Sequence, residues 1–160
     1  MSTTAPRGRN EGEADPAIEE RVRGSFARQR FMATLGARLT RVAPGEVEIE
    51  LPYSDGVAQQ HGFVHAGALA TIADSACGYA ALTMMPEDAA VMSVEFKINM
   101  LSPAEGPTLL ARGRVLKAGR TLTVCRADVY SFASGDERKE KLVATMQGTM
   151  IAVRGRGLAD

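Results

Sequence analysis

Residues 66–85, AGALATIADSACGYAALTMM, constrain this chain more than any other segment. The run is almost uncharged, rich in alanine and glycine, and interrupted by one carboxylate, Asp74. Its length approaches that of a membrane span, about 20 residues. A charge at the bilayer centre is costly, and small residues dominate over leucine, so a helix buried inside a folded domain is the better reading. A helix that is apolar nearly all round is unlike a surface helix and needs other elements to enclose it.

The flanking segments supply those elements. Asp15-Pro16 is a helix start, with Asp as cap and Pro at the first helical position. Ile18, Val22, Phe26, Phe31 and Leu35 then recur at helical spacing, and Gly36 ends the helix. A short strand is expected over residues 37–42 and a turn at Pro44-Gly45. Glu46, Glu48 and Glu50 alternate with Val47, Ile49 and Leu51, a half-buried strand with one wet face. After the apolar helix, residues 89–101 return to period two, with Val94, Phe96, Ile98 and Met100 on one face and Ser93, Glu95, Lys97 and Asn99 on the other. Strands over 109–117 and 121–133 flank a tight turn at Ala118-Gly119-Arg120. The charged run 134–141 reads as a solvent loop, and 142–153 as the last strand.

The order is helix, two strands, a long apolar helix, then four strands. A sheet wrapped around the apolar helix is the simplest solution, although an unrelated α+β sandwich has the same order. A curved sheet leaves an exposed edge, which pairing in a symmetric dimer would remove.

Length and composition bound the rest. The 160 residues suit one domain. A polar tail is expected over 1–16, the folded domain over 17–153, and a frayed end over 154–160. The opening MSTTAPRGRNEGEADP has no apolar run of the kind a secretory signal needs, so a cytoplasmic location is expected. With 19 basic and 19 acidic residues, the chain has no basic surplus to attract nucleic acid. Cys77 and Cys125 have no CxxC partner and read as reduced, buried residues, and no zinc spacing occurs.

Asp74 is the sharpest anomaly, because a buried carboxylate is expensive unless it is paired, hydrogen-bonded or protonated. It either caps a neighbouring element or serves a site. His61 and His65 lie just before the helix. Their spacing resembles a ligand pair, but no further imidazole and no HExxH pattern accompany it. Nine helical residues span about 13 Å, so Asp74 and His65 cannot touch within one chain and could meet only across two subunits. Ala66 and Gly67 open the helix with small side chains, which either leaves backbone N–H groups accessible to developing negative charge or only serves a tight loop-to-helix transition. Ser75, Thr71, Ser93 and Cys77 lack both a GxSxG elbow and a partner histidine, which speaks against a nucleophilic hydroxyl or thiol. Arg112, Arg114, Lys97, Lys117 and Arg120 lie on or beside strands and read mostly as solvated face residues, although Lys117 and Arg120 flank a turn where they could meet the phosphates of a nucleotide-bearing carrier. No phosphate-binding or dinucleotide motif occurs.

The stretches QQHGFVHAGALATIADSACGYAA (59–81), VEFKINMLSPAEG (94–106), 113–124 and LVATMQGTMIAV (142–153) together resemble the PaaI-type acyl-coenzyme A thioesterases of the hotdog superfamily. The likeness covers residues 35–153. It implies a curved antiparallel sheet wrapped around the central helix, and a homodimer, often a homotetramer, with sites at the subunit interface. The family's catalytic acid falls on Asp74, its histidine on His65, and its oxyanion amide on Ala66 with Gly67 beside it. Gln59 stands where the family usually has Asn, HAG replaces HGG, and Cys77 occupies a position often held by a polar residue. His61, Cys77, Ser93, Lys117 and Arg120 complete the expected substrate-binding set. The implied substrate is an aryl- or fatty acyl-coenzyme A thioester, with no cofactor and no metal. Asp74 would activate water or attack directly. Related alternatives are a dehydratase or hydratase on the same fold, or a non-catalytic acyl-coenzyme A-binding module.

Overall fold

In the computed structural model, described for residues 14–133, 136–158 and 160, a six-stranded antiparallel sheet curves around one long helix. Most of the tail expected over 1–16 lies outside the described residues. The elements run α1 (Pro16–Arg28), α2 (Arg30–Leu35), β1 (Arg38–Ala43), β2 (Glu46–Pro52), a 3₁₀ turn (Asp55–Val57), α3 (Ala66–Leu82), β3 (Ala90–Met100), β4 (Thr108–Ala118), β5 (Leu122–Ala133) and β6 (Asp136–Val153). The strand order is β1-β2-β4-β5-β6-β3, which leaves β1 and β3 as edges. This is the hotdog architecture, an α+β fold.

The helix start at Asp15-Pro16 is as expected, with the Asp15 side chain accepting from the Ala17 N–H at 3.0 Å. The helix does not continue to Gly36. It breaks at Gln29, whose backbone is extended, and restarts as α2. The cause is legible in the spacing: Phe26 to Phe31 is five residues, one more than the helical repeat tolerates. The elbow changes which side chain faces inward, so Met32 is buried and Phe31, expected on the covered face, is 59% exposed.

The apolar helix stops at Leu82 rather than Met85. Thr83 donates its hydroxyl to the Ala80 carbonyl at 2.7 Å and accepts the Gly45 N–H at 2.7 Å, which ties the helix end to the β1–β2 turn. Leu69, Ile72, Ala73, Ala76, Cys77 and Ala80 of α3 are buried against the sheet. Full burial of a Leu or Ile contributes about 1.5–3 kcal/mol, enough for Leu69 and Ile72 to hold the helix down beside a half-buried carboxylate. The closest approach is at Gly113 of β4, where an added Cβ would lie 2.3 Å from the Ala76 carbonyl oxygen. The opposite stripe of α3, including Thr71, Asp74, Ser75 and Gly78, is only half-buried.

Two strand expectations need correction. The charged run at 134–141 is not a loop throughout: β6 begins at Asp136 and pairs with β5 almost from the turn. Of its charged residues, Glu140 is bound to Arg112 at 2.6 Å and Lys141 to Glu105 at 3.4 Å, and both are exposed. The strict alternation expected along β3 is also interrupted. Ser93 pairs with Met150 and Glu95 with Thr149, so a bulge leaves Val94 as an extra residue. Ser93 therefore faces α3, as Phe96 does, whereas Glu95, Lys97 and Asn99 line a hollow on the outer face.

Candidate active site

The half-buried face of α3 and the edge strand β3 carry the polar groups singled out by the sequence. Asp74 occupies the third turn of α3, on the half-buried stripe of the helix. It lines an open pocket of about 310 Å³ with Gln29, Phe31, Met32, Ala70, Thr71, Ser75 and Phe96. The Ser93 hydroxyl donates to Asp74 Oδ1 at 2.7 Å, a contact the β3 bulge makes possible. Burial pushes the Asp74 carboxyl above the usual carboxylate range, and the Ser93 hydrogen bond opposes that shift without cancelling it. One carboxylate oxygen is engaged, and no bond is recorded to the other among the described residues.

A second hollow lies at the start of the same helix. Gln59, Phe63, Val64, Ala66 and Leu69 line an open pocket of about 430 Å³, completed by residues from Met100 to Ala104. His65 is the N-cap of α3, and its Nδ1 accepts the Gly67 N–H at 2.8 Å. That bond fixes the neutral tautomer with its proton on Nε2, on an exposed ring. A Cβ at 67 would lie 3.0 Å from His65 Nδ1, so a larger residue there would push the ring aside by a few tenths of an ångström. The Ala68 and Leu69 N–H groups both reach the His65 carbonyl. The Ala66 N–H is thus left without an acceptor among the described residues, at the positive end of the helix dipole.

The two hollows are distinct, and the span from His65 to Asp74 is helical throughout. One chain therefore separates the Ala66 amide and His65 from Asp74 and Ser93. Gln59 is at the Ala66 pocket, but its Oε1 accepts the His61 N–H at 2.6 Å and closes a local turn. His61 is exposed at the tip of that turn. Cys77 is not at Asp74's pocket: its thiol is fully buried against the sheet, and burial raises its pKa, so it has no route to substrate here. Lys117 and Arg120 are exposed around the β4–β5 turn and line neither hollow. Among the described residues no group of three or more His, Cys, Asp or Glu side chains could hold a metal ion.

Two contributors were missed in the sequence. Gln29 and Phe31 reach Asp74's pocket from the α1–α2 elbow. The one available signal was the slipped helical spacing after Phe26.

Comparison with known proteins places this architecture. A profile of the thioesterase superfamily matches residues 61–136, from the turn before α3 to the first residue of β6. The crystal structure of a thioesterase family protein from Silicibacter pomeroyi is 52% identical, covering 86% of this chain and 99% of that one, with a TM-score of 0.83. A conserved protein of Pseudomonas aeruginosa is 28% identical over 86% of this chain and all of that one, with a TM-score of 0.71. The Escherichia coli PaaI protein of the phenylacetic acid degradation operon shares the fold at 19% identity and a TM-score of 0.76, over 86% of this chain and 94% of that one. The chain belongs to the thioesterase superfamily and has its hotdog fold.

Proposed function

We propose that this protein hydrolyses the thioester of acyl-coenzyme A at a site shared by two copies of the chain, with Asp74 from one copy and the Ala66 amide from the other. The observation that carries this reading is the separation of the two hollows along one helix, each with half of what thioester hydrolysis needs. Edge strand β3 supports the pairing. It is 11 residues long and presents Met92, Val94, Phe96 and Met100 largely exposed, a liability that a second copy removes. Pairing of two β3 edges about a two-fold axis would be isologous and would bring the Asp74 face of each copy to the other.

In this arrangement the thioester carbonyl oxygen lies against the Ala66 N–H and the helix dipole. Asp74 uses the carboxylate oxygen that Ser93 leaves free to take a proton from water, whose oxygen attacks the carbonyl carbon. The oxyanion that forms is held by the amide, which acts where charge develops rather than on the ground state. Collapse breaks the C–S bond, and the departing thiolate takes the proton back from Asp74. A carboxyl that burial holds above its usual range is, once ionised, a stronger base than an ordinary aspartate. His65 presents its Nε2–H to the thioester, and Gln59 shapes the turn that positions it. Lys117, Arg120 and His61, all exposed, are the groups available to the carrier's phosphates.

The test is subunit complementation. Asp74→Asn removes the base, and Ala66→Pro removes the amide proton at a helix position that tolerates proline. Each variant alone should release little thiol from acyl-coenzyme A. Random mixing of the two after dissociation should restore about a quarter of the wild-type rate, because half the dimers are mixed and each has one intact site. No recovery on mixing, with both variants folded, would confine the site to one chain or remove it. Hydration of crotonyl-coenzyme A without thiol release would favour the hydratase.

A further inference from the structure

The Asp74 pocket has one wall, Phe31, that neither the reaction nor the pairing of β3 explains. Phe31 is 59% exposed and Phe96 is 44% exposed, and both line the hollow that contains the carboxylate. Large aromatic side chains are ordinarily drawn into a core, and Met32, the next residue, is. The α1–α2 elbow turns Phe31 outward.

The elbow is anchored to the two elements that hold the pocket's other groups. Phe26 packs edge-on against Tyr79 of α3 with ring centroids 5.7 Å apart. The Ser25 hydroxyl lies 3.4 Å from the Tyr79 hydroxyl and donates to Asp160 Oδ1 at 2.8 Å. Asp160 Oδ2 in turn accepts the Val91 N–H of β3 at 2.6 Å. Arg21 reaches the carbonyls of Met85 and Ala89, which follow α3. The wall is therefore tied to α3, which carries Asp74, and to β3, which carries Phe96.

The occupant can be read from the lining. Among the described residues Asp74 is the only charged one lining it and no cation faces the hollow, so these residues offer the polyanionic end of a coenzyme A thioester nothing to bind. Two phenyl rings beside a reactive carboxylate fit a neutral apolar group joined to the carbonyl under attack. At about 30 Å³ for each water-sized unit, the hollow has room for roughly ten non-hydrogen atoms. We propose that Phe31, which lines the Asp74 hollow together with Phe96, is a specificity-determining residue that holds the far part of the acyl group and sets which acyl thioesters are hydrolysed. The assignment rests on the Asp74 reading above.

The experiment measures kcat/KM for butyryl-, octanoyl- and phenylacetyl-coenzyme A with the wild type, Phe31→Ala, Phe31→Leu and Asp74→Asn, with circular dichroism and sedimentation of each. A methylene-sized change in a hydrophobic pocket alters discrimination by about tenfold or more, so Phe31→Ala should lower the octanoyl-to-butyryl and phenylacetyl-to-butyryl ratios by at least about tenfold. Phe31→Leu should restore most of the octanoyl ratio and less of the phenylacetyl ratio. Ratios within about threefold of wild type in both folded variants overturn the proposal. Dissociation of the oligomer with unchanged ratios also overturns it and makes Phe31 a subunit contact. Wild-type thiol release by Asp74→Asn would instead sink the parent reading. A silent Asp74→Asn with unmoved Phe31 ratios would sink this inference alone.

Discussion

Gly113→Ala probes the contact that positions the site. A Cβ at residue 113 would lie 2.3 Å from the Ala76 oxygen, 2.4 Å from the Ala76 carbon and 2.8 Å from the Cys77 nitrogen. All three are backbone atoms of α3, so no side chain can rotate away. Bringing the first contact even to 3.0 Å, the shortest distance real Cβ atoms show, lifts the helix by about 0.7 Å. The Ser93–Asp74 bond, which spans β3 and α3 at 2.7 Å, then lengthens toward the limit of hydrogen bonding. Overpacking of this kind costs about 1–3 kcal/mol, or a Tm lower by roughly 2–12 °C for a domain of this size. A misplacement near 1 Å in a catalytic group lowers kcat by about tenfold to a hundredfold. Calorimetry and thiol-release kinetics on the same preparation test both consequences. Gly24→Ala is the control of opposite sign. It lies inside α1, where a Cβ meets only Arg28 Nη1 at 3.8 Å, and it should add about 0.5–1 kcal/mol. A Gly113→Ala Tm within about 1 °C of wild type would refute the claim that bare backbone at this position sets the helix height.

Two further predictions turn on the Asp74 carboxyl. The Ser93 hydroxyl stabilises its ionised form, so Ser93→Ala should raise its pKa further and move the acid limb of the kcat/KM profile to higher pH; a limb that stays in place or moves down would show that the bond does not act on the reacting carboxylate. Because burial holds the folded-state pKa above the unfolded value, the folded chain binds more protons between the two, and the ionised group weakens the fold as pH rises through that interval. Asp74→Asn should therefore raise the Tm at pH 8 and leave it little changed at pH 3; equal Tm shifts at both values would contradict the sign.

The sequence by itself determined the element order, the two-period strands and the enclosed helix, because each of these is a local pattern of apolar and polar residues. It also marked Asp74, since a lone carboxylate in an alanine-rich helix conflicts with every local rule around it. Its distance from His65 follows from helix rise alone, and the separation of the two hollows agrees with it. Other features depended on groups distant in the chain. The bulge at Val94, set by pairing with β6, turned Ser93 from the wet face to the carboxylate. The elbow at Gln29 exchanged Met32 for Phe31 at the core and gave the pocket its wall. Burial under the sheet took Cys77 out of reach of any ligand, and the His65 ring claimed the Gly67 amide and left Ala66's free. Periodicity carries no information on register or on which of two adjacent amides is already bonded. Those choices are made when strands pair and helices settle, by contacts between residues far apart in the chain.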